Sequence, residues 1–156
     1  MQKITPFLWF DKEAHEAAKF YCSVFKGKSK IISVTHYGAG GPGPAGTVMS
    51  VIFELHGQRF HALNGGPIFK HSEAFSLFVD CKTQKEIDTL WAKFTKDGEE
   101  SQCGWLKDKY GISWQIVPSI LGEVLNQKDK TKAQRAMKAM MGMRKLNIAE
   151  LKAAVK

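Results

Sequence analysis

Gly57-Gln58-Arg59-Phe60-His61-Ala62 is echoed by Gly111-Ile112-Ser113-Trp114-Gln115-Ile116. In each stretch a glycine turn launches an alternating strand. The fifth residue, His61 or Gln115, carries a polar head suited to a metal or a hydrogen-bond partner. Behind each copy lie, in the same order, an apolar alternating run, a helix with apolar residues at i, i+3, i+4 and i+7, and further strand-like segments. That order predicts two βαβββ units in an α+β fold, with curved mixed sheets around a groove and helices outside. The expected units are residues 1–64 and 72–118 of one domain, joined through Asn64-Gly65-Gly66-Pro67, with a helical tail over 119–156.

Outward from the repeat, the run from Met1 to Pro6 leads into a first strand over Ile4–Phe10, with Leu8 and Phe10 on one face and Phe7 and Trp9 on the other. Asp11 reads as an N-cap. The helix after it carries Ala14, Ala17, Ala18, Tyr21, Val24 and Phe25 on one stripe before Gly27. Strands are expected at Lys30–His36, Thr47–Leu55 and Gln58–Asn64. The Gly/Pro-rich stretch 38–46 can be neither helix nor paired strand, and is a candidate lid. In the second unit Ala74–Asp80 alternates, Thr83 is a candidate N-cap, and Ile87, Leu90, Trp91 and Phe94 form the helix stripe before Gly98. Strands near Glu99–Leu106 and Ile112–Pro118 complete it. In the tail, Lys130–Met143 is expected to be helical with Ala133, Met137, Met140 and Met141 as its apolar stripe, and Asn147 to cap a last short helix.

A chain of 156 residues is long enough to bury a core without disulfides or a structural metal. Cys22, Cys81 and Cys103 form no C-x-x-C pair and are odd in number, which points to a reduced, cytoplasmic setting. No apolar stretch is long enough for a membrane span, and no signal peptide is evident. The net charge of +8 is concentrated from residue 128 onward, where nine lysines and arginines face Asp129 and Glu150. A basic tail raises nucleic-acid binding as one reading. No aromatic residues interleave with the lysines as a stacking surface would need, so a solvated helix face is preferred and nucleic acid is not expected as a partner.

Alternation sets His61 beside Arg59 and Leu63, and Gln115 beside Ser113 and Val117. The opposite faces, Phe60 with Ala62 and Trp114 with Ile116, are apolar and suited to covering helices. If the units pair about a pseudo-twofold axis, His61 and Gln115 are equivalents that look into a common groove. The plain alternative is a half-exposed strand histidine. Cys103 next to Gly104 and Trp105 invites a nucleophile reading with His61 as base, but no activating partner lies nearby in sequence. Stretch 38–46 has no lysine and no G-x-x-x-x-G-K-[ST] pattern, so it is not a phosphate cradle. No catalytic residue is assigned.

The duplicated unit, the Phe20-Tyr21 pair late in the first helix, and the segments ITPFLWFD, YGAGGPGPAG, ALNGGP and QCGWLKDKYGISWQIVP resemble the vicinal-oxygen-chelate superfamily of glyoxalases, extradiol dioxygenases and bleomycin-resistance proteins. Within it they resemble the PhnB-like branch, whose members often carry a demethylubiquinone methyltransferase-like label, and the likeness extends over almost the whole chain, tail included. No Gly-rich strand-turn-helix for S-adenosylmethionine is apparent. The resemblance implies a homodimer and a groove lined by Phe7, Trp9, His61, Ser76, Phe78, Ser113 and Gln115, suited to a flat small-molecule ligand. It also maps the superfamily's metal positions onto Thr5, His61, Ala74 and Gln115. Threonine is a poor ligand and alanine none, so no metal and no cofactor are expected. The expected function is small-molecule binding. Metal-dependent lyase or dioxygenase chemistry is the enzymatic alternative, and nucleic-acid interaction through the tail the other.

Overall fold

The structure is a computed structural model and describes residues 3–156; Met1 and Gln2, the start of the run expected to lead into the first strand, lie outside them. The chain divides into a first unit, residues 1–70, and a second, residues 71–156.

The first unit contains β1 (Phe7–Phe10), α1 (Ala14–Val24), β2 (Lys30–His36), β3 (Val48–Leu55) and β4 (Gln58–Asn64). Its sheet has the order β1-β4-β3-β2, with β1 parallel to β4 and the other pairs antiparallel. The β3–β4 turn has positive φ at both central residues, His56 at 48° and Gly57 at 86°, the handedness that matches strand twist in a two-residue hairpin. Register then carries Phe60 and Ala62 to the buried face and Arg59 and His61 to the other. Every member of the expected α1 stripe is buried. It packs on a core in which Phe53 stacks on Phe60 with ring centroids 5.2 Å apart and Tyr21 lies 6.2 Å from Phe53.

Two expectations are corrected here. β1 starts at Phe7 rather than Ile4, which is 89 % exposed. Pro6 has no N–H to give the ladder, although its carbonyl still accepts from the His61 N–H at 3.0 Å. The N-cap of α1 is Glu13, not Asp11, and its side chain makes no capping bond. The acceptor comes from fifty residues away: Asn64 Oδ1 takes the Ala14 N–H at 2.8 Å. Asn64 is, as expected, the last residue of the strand Gln58–Asn64.

The second unit repeats the topology with β5 (Ser76–Cys81), α2 (Gln84–Thr95), β6 (Glu99–Glu100), β7 (Trp105–Lys107) and β8 (Ser113–Pro118). Sheet order is β5-β8-β7-β6, and β5 runs parallel to β8. Thr83 caps α2 by accepting the Glu86 N–H at 3.2 Å, while Glu86 accepts the Lys82 N–H at 2.9 Å. Ile87, Leu90, Trp91 and Phe94 are buried, with Phe94 stacked on Trp114 at 4.6 Å.

The tail forms the expected helices, α3 (Leu121–Leu125), α4 (Lys130–Met141), which ends two residues before the expected Met143, and α5 (Ile148–Ala154), capped by Asn147 as expected. Its inward stripe is corrected: Ala136 and Met143 are buried and Met140 half-buried, whereas Met137 and Met141 are 45 % and 59 % exposed. The small Ala136 side chain sets the inward face of α4 in a cluster with Val117, Val124, Met143, Leu146 and Leu151. Polar contacts finish the docking. The Gln84 carboxamide, on the first residue of α2, donates to Leu146 O at 3.2 Å and to Asp88 Oδ1 at 3.1 Å, and accepts the Ile148 N–H at 2.9 Å. Cys103 and Gly104 donate their N–H groups to Met143 O and Arg144 O at 2.8 and 2.7 Å. Lys145 pairs with Asp88 at 2.6 Å, and this hydrogen bond, ahead of that from Gln84, holds the Asp88 carboxyl below its ordinary value.

Leu146 is fully buried at this junction. Replacing it with alanine is expected to lower the urea-unfolding free energy by about 2–5 kcal/mol, the usual range for a buried leucine. A loss below about 0.5 kcal/mol would mean that the tail is peripheral to the unit's stability.

Candidate functional site

In each sheet one face is covered by its helix and the other carries the candidate residues. On the first, the parallel register sets Phe7 opposite His61 and Trp9 opposite Leu63. Phe7 is 59 % exposed, and its ring centroid lies 6.0 Å from the His61 imidazole. On the second, the register sets Ser76 opposite Ser113 and Phe78 opposite Gln115. Phe78 is also 59 % exposed. Each unit therefore presents an exposed phenylalanine beside the polar residue singled out by the repeat. Counted from these pairs, the strand counterpart of Thr5 is Ser76 rather than Ala74, each lying two residues before its phenylalanine.

Trp9 is engaged within its own unit. Its indole N–H donates to Gly66 O at 2.8 Å, and its ring meets Phe69 edge-on at 5.0 Å. A Cβ on Gly65 would lie 2.2 Å from that ring, so only glycine lets the connection pass beneath it. Tyr37 organises the stretch 38–46: its phenol donates to Asn64 O at 2.6 Å, its backbone bonds to Gly46 and Thr47, and its ring lies against Gly41 and Gly43. The stretch spells G-x-G-x-x-G, but it joins antiparallel β2 and β3 and opens no helix, so it offers no helix N-terminus to a phosphate.

On the second sheet Ser76, Ser113 and Gln115 come together with Trp105, the β7 register partner of Gln115. Gln115 Nε2 donates to Ser76 Oγ at 2.9 Å. Ser113 is 2 % exposed, and its hydroxyl has no hydrogen-bond partner among the described residues. Lys107, the register partner of Ser113, forms an ion pair with Glu73. The shared hydrogen bond is the main influence that lowers the Glu73 carboxyl and raises the Lys107 ammonium from their ordinary values. Periodicity placed Ser113 and Gln115 on this face, but nothing in the spacing signalled Glu73 and Lys107, which meet only through folding.

The turn into β8 is held by Asp108, a buried residue whose partners no local spacing reveals. Its carboxylate accepts the N–H groups of Tyr110 and Ile112 at 2.8 and 3.1 Å and the Trp114 indole N–H at 2.8 Å. One side chain thereby fixes both the turn and the strand that carries Ser113 and Gln115.

Among the described residues, neither Cys81 nor Cys103 is hydrogen-bonded to a side chain that could act as its base. Burial, ahead of Glu86 and Asp80, pushes the Cys81 thiol up to about 12. Cys103 Sγ lies 3.6 Å from Met141 Sδ, a thioether that takes no proton.

Residues 2–117 match the profile of the family described as 3-demethylubiquinone-9 3-methyltransferase. The chain belongs to this family. It is similar, at 42 % identity and a TM-score of 0.67, to a PhnB protein of Bacillus cereus described as a putative 3-demethylubiquinone-9 3-methyltransferase, over 73 % of this chain and 97 % of that one. Protein PA1353 of Pseudomonas aeruginosa shares the fold at 18 % identity and a TM-score of 0.59, over 73 % of this chain and 95 % of that one. The fosfomycin resistance protein FosX of Listeria monocytogenes shares it at 10 % identity and 0.51, over 73 % and 89 %. No curated protein sequence matches the chain. The expected likeness to the PhnB-like branch of the vicinal-oxygen-chelate fold therefore holds. Its reach is corrected: the family match ends at residue 117, and the tail lies beyond it.

The superfamily's divalent metal does not fit these residues. Thr5 and Ala74 precede β1 and β5, and on the open faces the His61 imidazole stands next to Phe7 while the Gln115 amide is tied to Ser76. Among the described residues no three His, Cys, Asp or Glu side chains are grouped as a metal's ligands. No helix of the described residues is long and apolar enough to cross a membrane.

Asp108→Ala would strand three donors, two of them buried with the side chain they served. It is expected to destabilise the protein by on the order of 3 kcal/mol, read by urea denaturation, with near-UV circular dichroism reporting a loosened Trp114. Unchanged stability would mean that water replaces the carboxylate without cost.

Proposed function

We propose that this PhnB-like protein binds small, flat, partly polar molecules on the open sheet face of each unit, through Phe7, Trp9 and His61 in the first and Ser76, Ser113 and Gln115 in the second, and that it does so without a metal. The observation that carries this reading is the repeated pairing of an exposed phenylalanine with a polar side chain, Phe7 with His61 and Phe78 with Gln115. An exposed aromatic ring supplies apolar contact area, and the neighbouring imidazole or carboxamide supplies direction. The single good metal donor, His61, argues against metal-assisted lyase or dioxygenase chemistry. The family's description names a methyltransferase. The glycine-rich stretch inside an antiparallel hairpin argues against a nucleotide-type cradle for a methyl donor, so binding is preferred to methyl transfer. A cytoplasmic homodimer belongs to the same reading, supported by the unpaired cysteines and by the exposed Phe7, Phe69, Phe75 and Phe78.

A thermal-shift screen of small aromatic and heteroaromatic compounds is expected to give hits whose affinity falls about tenfold or more in His61→Ala or Gln115→Ala, a loss of about 1.4 kcal/mol. Metal analysis of the untagged protein should give well below one equivalent of zinc, nickel, manganese or iron. Hits indifferent to both substitutions in folded variants would place the working site elsewhere. A tightly held metal lost in His61→Ala would restore the metal-dependent alternative.

A further inference from the structure

We propose that the hollow bounded by the Lys107–Glu73 pair in the second unit recognises a small primary ammonium group. The inference rests on the reading above, that the open face of the second sheet takes a small molecule, and adds the chemical class of its head.

The hollow has a volume of about 140 Å³ and is lined by Glu73, Glu99, Ser101, Trp105, Lys107 and Ser113, with Glu100 and Leu106 completing its wall. At ~30 Å³ for each water that is space for roughly four or five non-hydrogen atoms, enough for an ammonium and a short carbon stem. Ser113 brings a buried hydroxyl that none of the described residues satisfies, on a residue only 2 % exposed. Buried polar groups are almost always bonded, so an orphan in a hollow's wall marks a place that a ligand atom can complete.

Charge selects the ligand. Glu73 and Glu99 outnumber Lys107, and Glu100 is already engaged, accepting from the Trp91 indole at 2.7 Å with Arg144 3.7 Å away. An anion would meet net repulsion. A cation would find acceptors, and the protein displays one in place: Glu73 holds the primary ammonium of Lys107. A ligand ammonium has three N–H donors, and Glu73, Glu99 and Ser113 Oγ supply three acceptors. It would take the place of Lys107 on Glu73, and the Lys107 side chain, already 31 % exposed, would turn to water. Trp105 adds an aromatic wall favourable to a cation. As the register partner of Gln115, it also leads from the hollow to the face where the rest of the molecule would lie.

The test uses the full-length protein with benzylamine, which joins an ammonium to a flat ring, and benzyl alcohol as its neutral counterpart, both measured by calorimetry and thermal shift at neutral pH. Benzylamine is expected to bind at least tenfold more tightly than the alcohol. Glu99→Gln is expected to weaken benzylamine fivefold or more while leaving the alcohol unaffected, and Ser113→Ala and Gln115→Ala to weaken both probes. Glu73→Gln, in an exposed segment, is expected to act as Glu99→Gln does. Equal affinity for the two probes, unchanged by Glu99→Gln, would overturn the ammonium assignment while the wider binding reading stood. No response to either probe would also overturn it, and the wider reading would then be decided separately by the compound screen. Calcium binding more tightly than benzylamine, and lost in Glu99→Gln, would make the hollow a metal site and overturn the proposal too.

Discussion

Parallel pairing of the first strand with the last, β1 with β4 and β5 with β8, is the constraint on which the rest depends. A parallel pair cannot be closed by a tight turn, so a long connection must intervene, and in each unit it consists of a helix and two further strands. That requirement gives each unit its order and commits one sheet face to the helix. It also fixes which side chains meet on the other face, because register alone brings Phe7 to His61 and Phe78 to Gln115. Each return strand is secured at one end by a single side chain. Asn64 closes β4 by capping α1 and by donating to Val48 O at 3.0 Å, and Asp108 opens β8 by gathering three donors.

The tail is part of the second unit. Its helices bury Leu146 and Leu151 against Val117 at the end of β8, and the Gln84 carboxamide ties the start of α2 to both sides of Asn147. The family match stops where this packing begins. The basic residues of α4 follow from this arrangement: with Ala136, Met140 and Met143 turned inward, the lysines take the outer positions that solvent requires of them.

What was legible in the sequence was whatever periodicity encodes. The α1 and α2 stripes, the strand Gln58–Asn64, the Thr83 and Asn147 caps and the duplicated order all follow from local spacing. What was hidden depended on contacts distant in sequence. Asp11 looked like a cap because a cap is ordinarily local, yet the acceptor is Asn64. The α4 stripe was misplaced because Met137 and Met141 look more apolar than Ala136, whereas the helix needed its smallest side chain where it packs closest. Ser76, Ser113 and Gln115 could be set on one face by alternation. Their hydrogen bonds, and the Lys107–Glu73 pair beside them, required the folded chain.

If the open sheet faces, marked by His61 and Gln115, hold a small molecule, a high-resolution crystal structure of the protein purified without a tag from its own cells and never exposed to added ligand should show non-protein density against the Phe7–His61 or Phe78–Gln115 pair, with no anomalous signal of a transition metal. A metal peak on His61, or a ligand seated away from both pairs while these faces carry only ordered water, would contradict it.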